Sequence, residues 1–163
     1  NINAATLTEK FGKKELPIRV LDMGMGQERN AWFSQGTNTI YEAVFPTVCK
    51  KLFSATGVKV DPNIVRKFVP YAGLLNVDEV EDIGKAWKTV ASKVKVDVKE
   101  LRELILPLAA VYSIGEHTRS LLFALNDGAL PSNTGGGYNL RVLIRRALSF
   151  INKYGWNINL ADV

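Results

Sequence analysis

The chain has 163 residues, which is enough for one domain or for one domain with an appendage. Hydrophobic residues make up 47% of it, which argues against a disordered chain, and the longest apolar run, Leu104 to Tyr112, is too short to span a bilayer. The formal net charge of +5 favours an anionic partner over a cationic one.

The first predicted elements are a strand and a glycine-bearing turn. Residues Leu16 to Leu21 predict a short strand that enters the turn Asp22-Met-Gly-Met-Gly26. A helix is expected from about Gly26 to Phe33, and Gly36 is expected to end it. A boundary is placed near Gly36, because strand and glycine character there gives way to helical patterns.

Start and stop signals divide the next part of the chain into short helices. The stretch Thr39-Ile-Tyr-Glu42 has the form of a capping box, in which the threonine hydroxyl accepts from a first-turn N–H and the glutamate reaches back. The helix that follows is expected to restart at Pro46 and to end at Gly57. Asp61-Pro62 predicts another helix, because a capping acid precedes proline at the first helical position.

Longer helices are predicted after residue 77. Asp78 is the expected cap of the first, whose apolar residues recur at helical spacing. Asp97-x-x-Glu100 caps the second, which Pro107 is expected to end or bend. A separate long helix is expected from Ala109 to Asn126, where Asp127-Gly128 is a stop signal.

The last predicted helix runs from about Tyr138 to Lys153, and Gly155 is expected to end it. In the helix before it, three leucines are expected to face inward: Leu121, Leu122 and Leu125. The predicted fold class is therefore mainly α, a bundle of six or seven helices with a short strand and turn at its N-terminus.

The turn Asp22-Met-Gly-Met-Gly-Gln-Glu-Arg29 is the first candidate binding site. A strand ending in an acid, then Gly24, Gly26 and a helix start, can bind anions, because glycine lets backbone approach a ligand and the new helix offers unpaired N–H groups. Arg29 could fork onto a phosphate, and Asp22 could hold an ammonium group. The alternative is a tight turn with a surface Glu-Arg pair.

The loop Leu130-Pro-Ser-Asn-Thr-Gly-Gly-Gly137 and the basic helix after it are the second candidate site. Three consecutive glycines indicate that the backbone comes close to another group. Arg141 and Arg145 lie one turn apart on one face, and Arg146 lies on a neighbouring stripe. This arrangement is suited to binding the phosphate backbone of a nucleic acid and making one specific contact with the edge of a base. The alternative is a flexible linker beside a solvated cationic face.

The chain has one cysteine, Cys49, and one histidine, His117. It therefore has no internal disulfide and no Cys/His zinc site of its own, and a reducing cytosolic setting fits best. His117 is expected to be a structural histidine in a largely buried helix. No second base, paired nucleophile or carboxylate pair accompanies it, so hydrolase chemistry has no support.

These motifs, in this order, resemble the alanyl-tRNA synthetase family, and the resemblance covers most of the chain. The stretch from Asp22 to Arg29 resembles the third signature motif of class II synthetases in its alanyl form, Asp-x-Gly-x-Gly-x-Glu-Arg. The family's longer signature is similar to Glu116-His-Thr-Arg119, Asp127-Gly128, Pro131-Ser-Asn133, Gly137-Tyr138 and Ile144-Arg-Arg-Ala147. Three stretches look archaeal in type: Thr39-Ile-Tyr-Glu-Ala-Val-Phe45, Lys153-Tyr-Gly-Trp156 and Leu160-Ala-Asp162.

The resemblance implies an internal fragment, consistent with Asn1 in place of a starting Met. Residues 1–36 would be the C-terminal end of the class II catalytic domain, with a remnant of its antiparallel sheet. Residues 37–163 would be the helical domain that recognises the tRNA acceptor stem.

The resemblance also assigns roles to the residues of the first motif. In the family, the acid that opens this motif holds the α-ammonium of alanine, and the arginine that closes it contacts ATP phosphate. Asp22 and Gly24 are therefore assigned to alanine binding, Gly26 and Arg29 to ATP binding, and Arg29 to catalysis. ATP is used with Mg²⁺ in the family, and its zinc belongs to an editing domain that this chain does not contain.

For RNA, the resemblance assigns Asn133 to the G·U wobble pair of the tRNA(Ala) acceptor stem, and Arg141, Arg145 and Arg146 to phosphate contacts. No DNA or membrane partner is expected. The fragment alone is expected to be inactive. Two alternatives stay open: a stand-alone RNA-binding module without catalysis, and an interaction domain whose basic helix binds an acidic protein.

Overall fold

A computed structural model of the protein describes residues 24–76 and 80–163. Seven α-helices occur in these residues: α1 Gln27–Gln35, α2 Ile40–Val44, α3 Pro46–Thr56, α4 Pro62–Phe68, α5 Ile83–Val94, α6 Val98–Asn126 and α7 Gly135–Tyr154. Two 3₁₀ helices, Val69–Leu75 and Leu160–Asp162, complete them, and these ranges contain no strand. The predicted mainly α class is confirmed. The predicted strand Leu16–Leu21 lies outside the described residues.

The longest helix, α6, is the centre of the fold, because it contributes to all three hydrophobic clusters of the core. Near its start, Leu101 and Ile105 pack with Trp87 of α5. In its middle, Val111 and Ile114 pack with α3 and α7. The remaining cluster joins α6 to α3 and α4 through four buried residues, Cys49, Val65, Leu108 and Tyr112.

The expected division of this region into two helices at Pro107 is wrong, since α6 runs without interruption from Val98 to Asn126. A proline inside a helix costs ~3 kcal/mol or more, because it lacks an N–H and crowds the preceding turn. Ile105 and Leu108, on either side of it, are both buried in the core. Burying such side chains stabilises by roughly 1.5–3 kcal/mol each, which offsets the cost of keeping the helix continuous through the proline.

Aspartates begin three of the helices. Asp61 and Asp97 cap α4 and α6 as predicted, each accepting from two backbone N–H groups of the first turn. The cap of α5 is Asp82, which accepts from the backbone N–H of Lys85 at 3.0 Å. The prediction of Asp78 as that cap is wrong, and Asp78 itself lies outside the described residues.

The predicted capping box of α2 does not form. Thr39 is the N-cap residue, but its side chain makes no capping hydrogen bond. Glu42 instead accepts a hydrogen bond of 2.9 Å from the Tyr112 hydroxyl of α6. Tyr112 is buried in the core, where an unpaired hydroxyl is costly, so a tertiary contact takes the glutamate from the helix end.

The C-terminal end of α6 extends beyond the core. Leu121 is buried as predicted, but Leu122 is 67% exposed and Leu125 is 42% exposed, so the inward orientation expected for these two is wrong. This end of α6 leads directly into the loop before α7. The fold thus carries that loop on an extension of its central helix.

Candidate functional site

The N-terminal turn places Gly24, Gly26 and Arg29 together on an exposed surface at the start of α1. Gly26 is the N-cap and has a φ of +79°, a conformation that favours glycine. A Cβ atom at this position would lie 2.9 Å from Nε of Arg29, so the guanidinium folds directly over the glycine. A guanidinium beside unpaired N–H groups of a helix start can bind an anion. Asp22 lies outside the described residues.

An ion pair connects α1 to the central helix. Nη1 of Arg119 donates to Oε1 of Glu28 at 2.6 Å, and both side chains are substantially exposed. An exposed pair of this kind contributes about 0–1 kcal/mol, so it adds little to the stability of the fold. Glu28 therefore pairs with α6, whereas the sequence alone allowed a local Glu-Arg pair within the turn.

The loop before α7 is held by backbone contacts to the first turn of that helix. The backbone N–H of Ser132 donates to the carbonyl of Gly137 at 3.0 Å. The Ser132 hydroxyl donates to the carbonyl of Thr134 at 2.9 Å. A Cβ atom at Gly137 would lie 2.6 Å from the Leu130 carbonyl oxygen and would also collide with Ser132. The close approach expected of the glycines is therefore made, at Gly137, by the protein's own loop.

Asn133 and Arg141 are in direct contact. Nη1 of Arg141 donates a hydrogen bond to Oδ1 of Asn133. Both residues are exposed. Helical spacing does not predict this contact, because Asn133 precedes the helix and only the path of the loop brings it to the second turn of α7. The structure thus joins the predicted base-contacting residue to one of the predicted phosphate-contacting residues.

An exposed polar stripe continues along α7 from Arg141. Arg145 lies one turn further on, and it lines a shallow surface depression together with Leu148, Ser149, Asn152 and Lys153. The sequence from Asn139 to Lys153 contains no acid. This face is therefore suited to a polyanion. Asn152 and Lys153 follow Arg145 by seven and eight residues, which is about two helical turns, so the spacing alone could have placed them on the same face.

Arg146 lies on a different side of α7, within electrostatic range of His117 on α6. Burial lowers the pKa of half-buried His117, the Glu116 carboxylate opposes this shift, and the Arg146 guanidinium adds to it. The positive charge of Arg146 thus acts on the interface between α6 and α7. Arg141 and Arg145 belong to the outward stripe.

His117 should make the protein less stable in weak acid. Its folded-state pKa is lowered from the usual value of about 6.5, so the unfolded state binds more protons below that pH. The free energy of unfolding should therefore fall as the pH drops below about 6.5. We expect His117→Gln to reduce the stability lost between pH 7.5 and pH 5.5, measured by urea denaturation.

The same comparison between pH 7.5 and pH 8.5 serves as a control, because His117 is neutral there in both states and the two proteins should change in parallel. Carboxylates titrate near pH 4 and contribute little in the upper window. If the variant loses as much stability as the parent between pH 7.5 and pH 5.5, the shift at His117 does not govern this dependence.

Two further properties concern only residues 24–76 and 80–163. No group of three or more His, Cys, Asp or Glu side chains in them is placed to hold a metal ion. No helix in the same ranges is long and apolar enough to cross a membrane.

The family profile that matches this chain and the individual proteins similar to it agree with each other. The profile of the family described as tRNA synthetases class II (A) matches residues 3–163. The alanine–tRNA ligase of Methanocella arvoryzae is 51% identical over 96% of this chain, which spans 18% of that protein. Those of Methanosphaera stadtmanae and Methanothermobacter thermautotrophicus are 38% and 40% identical, over 96% and 93% of this chain and 17% of each relative.

Proposed function

The chain belongs to the class II (A) family of tRNA synthetases, and on that basis we propose that it is part of an alanine–tRNA ligase. Such an enzyme activates alanine with ATP and transfers it to tRNA(Ala). The resemblance of the chain's motifs to the alanyl-tRNA synthetase family is confirmed by the family match and by relatives of that name. Because the chain spans 18% of the first of these relatives, the activity proposed is that of a longer protein.

In this proposal, residues 1–36 complete the C-terminal end of the catalytic domain. Asp22 and Gly24 bind alanine, and Gly26 and Arg29 bind ATP. The exposed guanidinium of Arg29, at a helix start with unpaired N–H groups, supports an ATP contact. Arg29 would stabilise negative charge on the phosphate during adenylate formation. Mg²⁺ would accompany ATP, zinc would belong to an editing domain elsewhere in the enzyme, and the enzyme would be cytoplasmic.

Residues 37–163 are proposed to recognise the tRNA acceptor stem, with Asn133 reading its G·U pair. The observation that carries this proposal is the position of Asn133, exposed on a loop held against a helix whose outward face is cationic. Arg145 and Arg146 would lie along the RNA backbone, whereas Arg141, predicted as a third phosphate contact, hydrogen-bonds to Asn133. Phosphate contacts of this kind position a protein on RNA, whereas a base-edge contact specifies the sequence.

The chemistry of a wobble pair explains why one amide can be selective. A-form RNA has a wide, shallow minor groove that a loop can enter. In a G·U pair the guanine amino group in this groove is left without its normal partner, and the side-chain carbonyl of Asn133 can accept from it. In a G·C pair the same amino group is already paired. A polar contact left unmet costs roughly 1–3 kcal/mol, which corresponds to about 5–150-fold in affinity.

Binding of the 163-residue chain to two acceptor-stem hairpins, one with G·U and one with G·C, tests this function. We expect tighter binding to the G·U hairpin. Asn133→Ala should remove this preference while leaving the salt dependence of binding unchanged, because the phosphate contacts remain. Fluorescence anisotropy at several salt concentrations measures both quantities.

Arg145→Ala is the matched control, since it should weaken binding to both hairpins equally and reduce the salt slope by about 1. Equal, salt-sensitive binding of the unmodified chain to both hairpins would remove G·U recognition from the proposal and leave only a phosphate-binding surface. Absence of binding at low salt would contradict the RNA role altogether.

A further inference from the structure

The contact between Arg141 and Asn133 gives the arginine a role other than holding phosphate. Nη1 of Arg141 donates to Oδ1 of Asn133, the same oxygen that is proposed to accept from guanine. A guanidinium has five N–H donors and no acceptor. The Asn133 amide can therefore hydrogen-bond to Arg141 only through its oxygen. If the amide were flipped by 180°, its NH₂ group would face the N–H donors of the guanidinium.

The oxygen keeps its capacity for RNA in this arrangement. A side-chain carbonyl oxygen has two lone pairs, and Arg141 uses one of them. The loop backbone is fixed independently, by the bond of 3.0 Å between Ser132 and Gly137 and by the bond of 2.9 Å within Ser132–Thr134. What the backbone contacts leave undetermined is the rotation of the Asn133 amide, and Arg141 determines it.

We propose that Arg141 is a positioning residue for Asn133, which holds the amide so that the second lone pair of Oδ1 meets the guanine amino group. This inference rests on the proposed acceptor-stem function. It makes selectivity depend on an arginine that touches no base. Holding the amide before RNA arrives avoids the loss of side-chain rotational freedom on binding, and so favours the cognate pair. Arg145, one turn further along α7, keeps the role of a phosphate contact.

The hairpin assay separates positioning from phosphate binding. We expect Arg141→Ala to lower the affinity ratio of G·U to G·C to within about twofold of the ratio for Asn133→Ala, with affinity for the G·C hairpin close to that of the parent. The double variant should have the same ratio as Asn133→Ala alone, because both changes remove one interaction. Arg141→Lys should also lose the preference for the G·U hairpin, although lysine still binds phosphate as a point charge.

A phosphate role would produce the opposite pattern. Arg141→Ala would then weaken both hairpins equally, leave their ratio unchanged and reduce the salt slope by about 1, as expected for Arg145→Ala. That result overturns the positioning role. Circular dichroism of each variant checks that α7 is intact, which is expected because both arginines are exposed.

A measurement without RNA keeps this inference distinct from the proposed function. The ¹⁵N relaxation of the Asn133 side-chain amide should show a rigid group in the parent and a mobile one in Arg141→Ala, with Arg145→Ala as the control that stays rigid. An equally mobile amide in the parent overturns the positioning role. If the amide is rigid and depends on Arg141 but the parent has no preference for G·U, the positioning role stands and the G·U part of the proposed function fails.

Discussion

Gly137→Ala should displace the loop that carries Asn133 and abolish the preference for the G·U hairpin. A Cβ atom at this position would lie 2.6 Å from the carbonyl oxygen of Leu130, and a backbone atom cannot move aside as the end of a flexible side chain can. The loop would have to separate from α7 and lose the Ser132–Gly137 hydrogen bond. Such overpacking typically costs about 1–3 kcal/mol, measured by urea denaturation.

The neighbouring glycine provides a matched control. A Cβ atom at Gly136 meets nothing within 4 Å, and Gly136 lies in the same first turn of α7. Gly136→Ala should leave hairpin selectivity unchanged and raise the free energy of unfolding by roughly 0.5–1 kcal/mol, because alanine is better than glycine in a helix. If Gly137→Ala behaves like Gly136→Ala in both assays, the loop does not depend on its close contact with the helix.

Ile114→Ala is expected to cause the largest loss of stability, about 2–5 kcal/mol in the free energy of unfolding. Ile114 is fully buried at the middle of α6, in the cluster that joins this helix to α3 and α7. Removing its side chain loses burial and leaves a cavity between three helices. The loss should appear as a lower urea midpoint with an unchanged slope.

Leu122→Ala on the same helix is the control. Leu122 is 67% exposed, so its truncation should change the stability by no more than about 0.5 kcal/mol. Similar losses for the two variants would mean that α6 is not packed as described. Because Ile114 packs against Ala147 and Ile151 of α7, Ile114→Ala should also lower RNA affinity near its melting temperature, for reasons of folding alone.

The central helix also relates the two candidate sites to each other. Arg119 of α6 pairs with Glu28, which lies within the motif proposed to bind ATP. Seven residues later, at Asn126, α6 ends and leads into the loop that carries Asn133. At 1.5 Å per residue, this is about 10 Å along the helix axis. About two turns of α6 therefore separate the residue that pairs with the proposed adenylate turn from the start of the recognition loop.

Much of the local structure could be predicted from the sequence, because its causes are local. Asp61 and Asp97 cap helices as expected, and Gly36, Gly57 and Gly155 end helices in left-handed conformations. The motifs alone predicted the family, since their residues recur at fixed spacing. The assignments of Asp22, Gly24, Gly26 and Arg29 to alanine and ATP remain predictions.

Other features were decided by contacts between residues distant in the sequence. The continuity of α6 through Pro107 depends on burial on both sides of the proline, which no local rule can weigh. Glu42 pairs with Tyr112 rather than with its own helix end, because a buried hydroxyl needs an acceptor. Such competition between a local and a tertiary partner is settled by burial, which exists only once the helices have packed.

The candidate RNA site shows the same division. Its residue types, an asparagine on a loop and arginines on a helix, were determined by the sequence. That Arg141 binds Asn133, that Gly137 approaches its own loop, and that Arg146 acts on His117 follow only from the path of the chain between α6 and α7. Periodicity places residues on a face, but it cannot orient an amide, because the partner that orients it comes from another part of the fold.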